Sequence, residues 1–240
     1  MIGTQFSDVL FLDIETVPQY PDYYSAPEKW QELWNKKAER LIENADDDPA
    51  TVFGRAGIYA EFGKIICISV AFIKNEKLSV KSFFSENDEK QLLTDFAEMV
   101  NNFYKRNPKM QLCAHNGKEF DFPYISRRMI INKVPLPNIF NTAGKKPWEI
   151  LNIDTMELWK FGDYKNYTSL NLLAYTFGIP SPKDDIDGSM VYETFYVDKE
   201  LERIVTYCEK DAITVAQLLR AYNYLPLIPD ENIEYRKAED

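Results

Sequence analysis

One short segment, Leu10-Phe11-Leu12-Asp13-Ile14-Glu15-Thr16, limits what this chain can fold into more than any other part of its sequence. Its apolar residues predict a buried β-strand, and the alternation of side chains along a strand places Asp13 and Glu15 on the same face. Burial of two neighbouring negative charges is unfavourable unless a cation neutralises them, and Mg²⁺ and Mn²⁺ prefer oxygen ligands of this kind. The segment therefore predicts a metal site or, in the simpler alternative, two solvated acids at a strand end.

Size and composition predict a soluble domain. At 240 residues the chain is long enough for one well-buried domain, and its 45% hydrophobic and 28% charged residues are ordinary for a globular protein. Residues Met1–Asp8 lack the pattern of a secretory signal, and the apolar run Ile65–Ile73 is far shorter than the ~20 residues of a membrane helix. The cysteines Cys67, Cys113 and Cys208 show no CxxC pairing, so we expect buried thiols in a reducing cytosol, a cytoplasmic location and no membrane association.

The distribution of charge bears on the substrate. A net charge of −10 argues against a protein that coats nucleic acid through bulk electrostatics. Residues 101–150, however, contain nine basic and three acidic residues, a net charge of +6, so the rest of the chain carries −16. This segment predicts either a local surface for a phosphate-containing substrate or, equally, the solvated face of a helix.

The order of the predicted elements indicates an α/β fold. Strands are predicted at Val9–Ile14, Glu61–Ile73, Leu78–Phe84, Met110–Ala114 and Ile150–Asp154, with a hairpin turn at Lys74-Asn75-Glu76-Lys77. Helices are predicted at Asn87–Tyr104, at Phe120–Asn132, from a Thr168-Ser169 cap to Phe177, and at Lys199–Asn223, with Pro226 and Pro229 preventing further regular structure. These elements predict a mixed five-stranded sheet flanked by helices.

Residues 18–60 interrupt this order with segments rich in Pro, Tyr and Asp. They contain one amphipathic helix, whose apolar residues are Trp30, Leu33, Trp34, Ala38 and Leu41. We interpret the segment as a helical insertion after the first strand, within a single domain 1–240 whose core spans about residues 8–222. Because it leaves the end of the strand that carries Asp13 and Glu15, the insertion either covers that site or, more simply, shields the sheet.

Two further acids lie where they can join the first pair. Asp121 follows a predicted strand and begins a helix, which places it near the end of the sheet or makes it a simple partner of the helix dipole. Asp211 lies in the last predicted helix four residues after Tyr207, so the two side chains share a face. A surface carboxylate beside Lys210 is the simpler interpretation of Asp211.

Taken together, these residues resemble the three exonuclease motifs of the DEDD superfamily. The motifs are Asp13-x-Glu15, Asn116-x-x-x-Phe120-Asp121 and Tyr207-x-x-x-Asp211, within a resemblance that runs from about Val9 to Leu219. The tyrosine is typical of the DEDDy branch, which resembles the proofreading domains of DNA polymerases, whereas the histidine branch needs His where this chain has Thr206. The stretches that look closest to stand-alone bacterial exonucleases related to family B polymerases are Glu61–Ile65, Cys67–Ser69, Lys183 and Asp187-Gly188.

The resemblance implies a ribonuclease H-like fold and a 3′–5′ exonuclease that uses two divalent metal ions, Mg²⁺ or Mn²⁺. Asp13, Glu15 and Asp211 are then direct ligands, with Asp13 bridging both ions, and Asp121 holds the second ion. Tyr207 orients the attacking water, since a phenol with a pKa near ~10 is a poor base at neutral pH. The expected product is a nucleoside 5′-monophosphate.

The resemblance also implies how the substrate is bound. Backbone groups at Thr16 and the side chains of Asn116 and Phe120 are expected to hold the terminal nucleotide, although an aromatic residue at a helix start is more often part of the core. His115, the single histidine, is expected to be structural. The expected partner is single-stranded DNA with a free 3′ end, and a polymerase or repair partner acting in trans is left open. The alternatives are an RNA-directed 3′–5′ exoribonuclease and an inactive relative that binds nucleic-acid ends or a protein.

Overall fold

A mixed sheet forms the centre of the computed structural model, which describes residues 5–163, 165–180 and 186–236. Its strands are β1 (Val9–Pro18), β2 (Gly63–Lys74), β3 (Lys77–Phe84), β4 (Gln111–Ala114), β5 (Ile153–Asp154) and β6 (Ile233–Arg236). Their order across the sheet is β5-β4-β1-β2-β3-β6, with β1 antiparallel to β2 and parallel to β4. The predicted α/β fold is confirmed, and β1, which carries Asp13 and Glu15, lies inside the sheet with a strand on either side.

Among the described residues the sheet has one strand more than the five predicted. β6 pairs in parallel with β3 from Leu78 opposite Ile233 to Lys81 opposite Arg236. The expectation that Pro226 and Pro229 prevent further regular structure is therefore wrong. The two prolines precede β6 and leave its pairing amides intact, and a four-residue edge strand is too short to show an alternating apolar pattern.

Helices cover both faces of the sheet. They are α1 (Glu28–Ala38), α2 (Glu89–Arg106), α3 (Asp121–Ile131), α4 (Thr155–Lys160), α5 (Leu170–Thr176), α6 (Val191–Glu193), which continues as a π-helical turn over Thr194–Asp198, and α7 (Leu201–Tyr222). The predicted helices correspond to α1, α2, α3, α5 and α7 with small differences at their ends. The helix predicted within residues 18–60 is α1, which ends before Leu41 and leaves Leu33 exposed. Of the helices in the described ranges, none combines the length and the hydropathy that a membrane crossing requires.

The side chains of β1 alternate between two cores on opposite faces of the sheet. Leu10 and Leu12 pack in the core that includes residues of α2 and α3, whereas Val9 and Phe11 pack in the core that includes residues of α5 and α7. Since every second residue of a strand shares a face, Asp13 and Glu15 continue the series that begins at Phe11. The two carboxylates therefore face α7.

Residues 19–62, between β1 and β2, pack around an aromatic cluster of their own. Trp34 of α1 is fully buried there, and its Nε1 donates to the carbonyl of Pro49 at 2.7 Å. Tyr196, in the π-helical turn after α6, donates from its hydroxyl to the carbonyl of Pro18 at 2.6 Å. This contact ties the π-helical turn to the end of β1, close to the start of the 19–62 segment.

Candidate active site

The first motif lies within β1, beside an irregularity in the sheet. Asp13 pairs with Ser69 and Glu15 with Cys67 of β2, and the register shifts between Glu15 and Thr16. Shifts of this kind bend a strand and redirect its side chains, and they are common next to active sites. Glu15 is only 9% exposed and Asp13 is partly exposed, so this motif lies at the edge of the protein interior.

The third motif reaches the same place from α7. Burial raises the pKa of both Asp13 and Glu15, and the nearby negative charge of Asp211 raises the pKa of each carboxyl further. Cys208, one turn before Asp211, donates from its Sγ to the backbone carbonyl of Asp13 at 3.4 Å. α7 is thus held directly against β1, and the structure brings Asp13, Glu15 and Asp211 together.

The second motif adds a fourth carboxylate at the start of α3. Asp121 is the first residue of that helix and is 4% exposed. Its carboxylate accepts hydrogen bonds from its own backbone N–H and from that of Ile14, the residue between Asp13 and Glu15. Burial outweighs these hydrogen bonds and raises the pKa of Asp121 to about 7, with a further contribution from the charge of Asp154.

Asp13, Glu15, Asp121 and Asp211 form a carboxylate cluster, in which burial and the charges of the other three acids raise the pKa of Asp13. Oδ2 of Asp13 is buried and has no hydrogen-bond partner among the described residues. Within those residues, no group of three or more His, Cys, Asp or Glu side chains is arranged so that it could hold a metal ion as it stands. A buried oxygen without a donor is nevertheless rare and needs an explanation, and an all-oxygen set of carboxylates is the ligand chemistry that Mg²⁺ and Mn²⁺ prefer. The residues present therefore fit hard divalent cations.

Tyr207 lies one turn before Asp211 on the side of α7 that faces the carboxylate cluster. Its hydroxyl is hydrogen-bonded to the Asp211 side chain. Burial, followed by the charges of Asp211, Glu15 and Asp13, raises the pKa of Tyr207 far above its ordinary value. The phenol is therefore neutral at physiological pH and acts as a hydrogen-bond donor to Asp211.

Asp154, which the sequence analysis did not place in the site, holds the loop of the second motif. This buried residue caps α4 by accepting from the backbone N–H groups of Met156 and Glu157 at 2.9 and 3.2 Å. It also accepts from the N–H groups of Asn116 and Lys118, both at 3.0 Å. A helix-start pattern, Asp after a short strand and before Thr-Met-Glu, is the sequence signal that could have identified it.

The turn between β4 and α3 depends on three consecutive residues. Asn116 has a φ of 62°, a left-handed conformation that Asn tolerates better than most residues. At Gly117 a Cβ would lie 2.4 Å from a neighbouring side chain, so the turn requires glycine. His115 is hydrogen-bonded through Nδ1 to Thr155 Oγ1 at 2.8 Å and through Nε2 to the Thr168 carbonyl at 2.9 Å. Both ring nitrogens are therefore engaged within the protein, as expected for a structural histidine.

The predicted substrate contacts Thr16 and Phe120 both lie beside Tyr124. The Thr16 side chain is hydrogen-bonded to the Tyr124 hydroxyl, which also donates to the carbonyl of Gly57 at 2.6 Å. The Phe120 ring is 5.3 Å from that of Tyr124 and packs against the core, yet both Thr16 and Phe120 remain partly exposed. Lys183, which contributes to the resemblance, lies outside the described residues.

Comparison with known structures defines the class of fold. The chain is similar to the family B DNA polymerase from the hyperthermophilic archaeon Pyrobaculum calidifontis, with a TM-score of 0.57 and 17% sequence identity. The match covers 90% of this chain and 24% of the polymerase chain, so the likeness concerns a quarter of that protein and shows the fold alone. No curated protein matches the chain. The fold is ribonuclease H-like, with the carboxylate cluster centred on β1.

Comparison with protein families identifies the family. The model of a predicted 3′–5′ exonuclease related to the exonuclease domain of PolB matches residues 58–224. Since this match covers more than half of the chain, the protein belongs to that family of exonuclease enzymes, and the resemblance stated from the motifs is confirmed. The match includes Asp121, Tyr207 and Asp211 but begins after Asp13 and Glu15. The first motif is joined to the matched part by the pairing of β1 with β2 and by its contacts with α7.

Proposed function

We propose that this protein is a metal-dependent 3′–5′ exonuclease that removes nucleotides from DNA and releases nucleoside 5′-monophosphates. The observation that carries the proposal is the buried carboxylate cluster, in which one oxygen of Asp13 has no partner among the described residues. A carboxylate in a protein core is normally paired with a cation or saturated by hydrogen-bond donors. The excess of negative charge is explained if the carboxylate cluster evolved to hold cations.

The four acids act together in this proposal. Asp13, Glu15 and Asp211 would be direct ligands of two divalent ions, and Asp121 would help to hold them. Bound dications lower the pKa of a water and stabilise the departing 3′ oxygen of a phosphodiester. Their charge would also reverse the pKa shifts of the acids, so that each carboxyl is ionised in the loaded enzyme.

Tyr207 would orient the attacking water. Because its hydroxyl proton is directed to Asp211, the lone pairs of the phenol oxygen are left to accept a hydrogen bond from water. The raised pKa of the phenol argues against its acting as the base. Tyr207 would therefore fix the position of the nucleophile without removing a proton from it.

Single-stranded DNA with a free 3′ end is the proposed substrate. Thr16 and Phe120 are adjacent in sequence to Glu15 and Asp121, and their partial exposure makes them suitable contacts for a terminal nucleotide. Asn116 would contribute its side chain from the turn before α3. We also propose that residues 18–60 are an insertion within one exonuclease domain whose core spans about residues 8–222.

Labelled substrates test the proposal directly. Purified protein would be incubated with 5′-labelled and 3′-labelled single-stranded DNA and RNA, with Mg²⁺ or Mn²⁺ and with excess chelator. We expect a ladder from 5′-labelled DNA, labelled mononucleotide from 3′-labelled DNA, and no product in chelator. The Asp95→Asn variant, which alters an exposed acid on α2, serves as the control for Asp13→Asn.

Three outcomes would contradict the proposal in different ways. Faster degradation of RNA than of DNA would make the protein an exoribonuclease. Binding of DNA ends without products would indicate an inactive relative. Equal activity with and without chelator would exclude the role assigned to the carboxylate cluster.

A further inference from the structure

A separate cavity lies at the beginning of β4. It has a volume of about 430 Å³ and lies between the end of α2, the start of β4 and the irregular segment 138–152. A cavity of this size lies within the range of small-molecule binding sites. Its lining shares no residue with the carboxylate cluster.

The charged groups of this cavity favour an anion. Lys109 and Lys145 line it, and neither forms an ion pair with any carboxylate of the described residues. The one acid in the lining, Glu149, already accepts a hydrogen bond from the backbone N–H of Lys146 at 2.7 Å. Two cationic side chains are therefore available to a phosphate group.

The remaining wall of the cavity is aromatic and aliphatic. Tyr104, at the end of α2, is half-buried, and Ile139 and Leu151 complete this wall. Aromatic side chains support nucleobases by stacking, without depending on the identity of the base. Cations and an aromatic surface are thus combined in one cavity.

We propose that this cavity is a nucleotide-binding site. Lys109 and Lys145 bind the phosphate, and Tyr104 supports the base. A free nucleoside 5′-monophosphate and a nucleotide unit within a nucleic-acid strand share this chemistry. The inference goes beyond the exonuclease function and does not depend on it, since the Asp13→Asn protein should bind equally well.

Calorimetric titration of the Asp13→Asn protein in chelator tests the proposal without hydrolysis. The probes are 2′-deoxyadenosine 5′-monophosphate and, separately, a short single-stranded oligonucleotide. We expect Lys109→Ala/Lys145→Ala to weaken binding roughly tenfold or more, because two charge-assisted contacts are lost. The matched control, Arg127→Ala/Lys133→Ala, removes two charges from the same basic segment but none from the cavity.

The two probes identify the source of the ligand. If the protein binds the mononucleotide and the double variant weakens this binding, the cavity is a site for free nucleotides. Binding of the oligonucleotide alone, weakened by the same variant, assigns it to a strand. If neither probe binds at millimolar concentration, or if the cavity variant binds as well as the control variant does, the proposal is wrong. Lys109 and Lys145 are exposed, so we expect their replacement to leave the fold intact.

Discussion

The carboxylate of Glu89 and the carboxylate cluster have opposite surroundings in this molecule. The carboxylate of Glu89, in α2, accepts hydrogen bonds from Nε and Nη2 of Arg128 at 2.8 and 2.6 Å. It also accepts from the backbone N–H of Ile65 at 2.7 Å and from Nδ2 of Asn132 at 2.9 Å. The side chains of Arg128 and Glu89 are only 5% and 9% exposed. This carboxylate is neutralised and saturated, and it connects α2, α3 and β2.

The carboxylate cluster is not saturated in this way, although Asp121 and Asp211 each accept hydrogen bonds. It places four acids close together, and one oxygen of Asp13 lacks a donor among the described residues. Burial alone therefore does not distinguish a structural carboxylate from a functional one. The distinction lies in whether the surrounding protein supplies the countercharge and the donors, or leaves them to a ligand.

Removing a charge from the carboxylate cluster should have the largest effect of any single change on activity. We expect Asp13→Asn to lower the rate of 3′ hydrolysis by roughly 10³-fold or more, because a metal ligand is lost. In chelator the same variant should be at least as stable to urea as the unchanged protein, since one of four like charges is removed. Full activity of the Asp13→Asn variant, or a large loss of its stability, would show that Asp13 is a structural carboxylate like Glu89.

Removing the charge of Glu89 should have the opposite result. Glu89→Gln leaves the buried guanidinium of Arg128 without its countercharge, and the expected loss is about 3–5 kcal/mol in the free energy of unfolding. Activity per folded molecule should be retained. The control is Glu43→Gln, which alters the exposed ion pair with Arg55 and should change stability by less than about 1 kcal/mol. Urea denaturation measures both variants, and equal effects would contradict the account.

Tyr207 should matter less than Asp13. We expect Tyr207→Phe to lower the rate by roughly 10²-fold, because the hydrogen bond that orients the water is lost while the ring still packs. Tyr196→Phe, which loses the hydrogen bond to the Pro18 carbonyl, is the matched control and should retain nearly full activity. A Tyr207→Phe enzyme as active as this control would remove Tyr207 from the mechanism.

The smallest effect is a pH dependence of stability that arises from the carboxylate cluster. Burial raises the pKa of Asp121 to about 7 and that of Asp13 and Glu15 well above their usual values. Between roughly pH 4 and pH 7 the folded protein therefore binds more protons than the unfolded chain, so its stability falls as the pH rises. In chelator we expect the Tm to fall by roughly 5 °C or more from about pH 5 to about pH 8.

Mg²⁺ should reduce this fall in Tm, since cations neutralise the carboxylate cluster, and Asp121→Asn should flatten it. A metal-free Tm that stays constant or rises over the same pH range would contradict the assignment of like-charge repulsion to these acids. Differential scanning calorimetry at several pH values gives the comparison.

The parts of the site that could be predicted are those with a local signal. The apolar run around Asp13 and Glu15 predicts a buried strand. The four-residue spacing of Tyr207 and Asp211 places both side chains on one face of a helix. Both signals depend on periodicity within a single element, so they are visible without knowledge of the fold. The order of the motifs then indicated the family.

The parts that could not be predicted depend on contacts between distant segments. Glu89 and Arg128 are 39 residues apart, and nothing local marks them as a buried pair. Asp154 acts on a loop 36 and 38 residues earlier in the chain, and β6 is defined by its pairing with β3 rather than by its own pattern. The register shift after Glu15 likewise exists only in relation to β2.

The central claim is that the carboxylate cluster, formed by acids of β1, α3 and α7, is a binding site for divalent cations. Crystals grown with Mn²⁺ and measured at its absorption edge would test this claim most directly. The account predicts two anomalous peaks roughly 4 Å apart, in contact with Asp13, Glu15, Asp121 and Asp211. Manganese bound elsewhere, with the Asp13 side chain contacting only protein atoms, would contradict it.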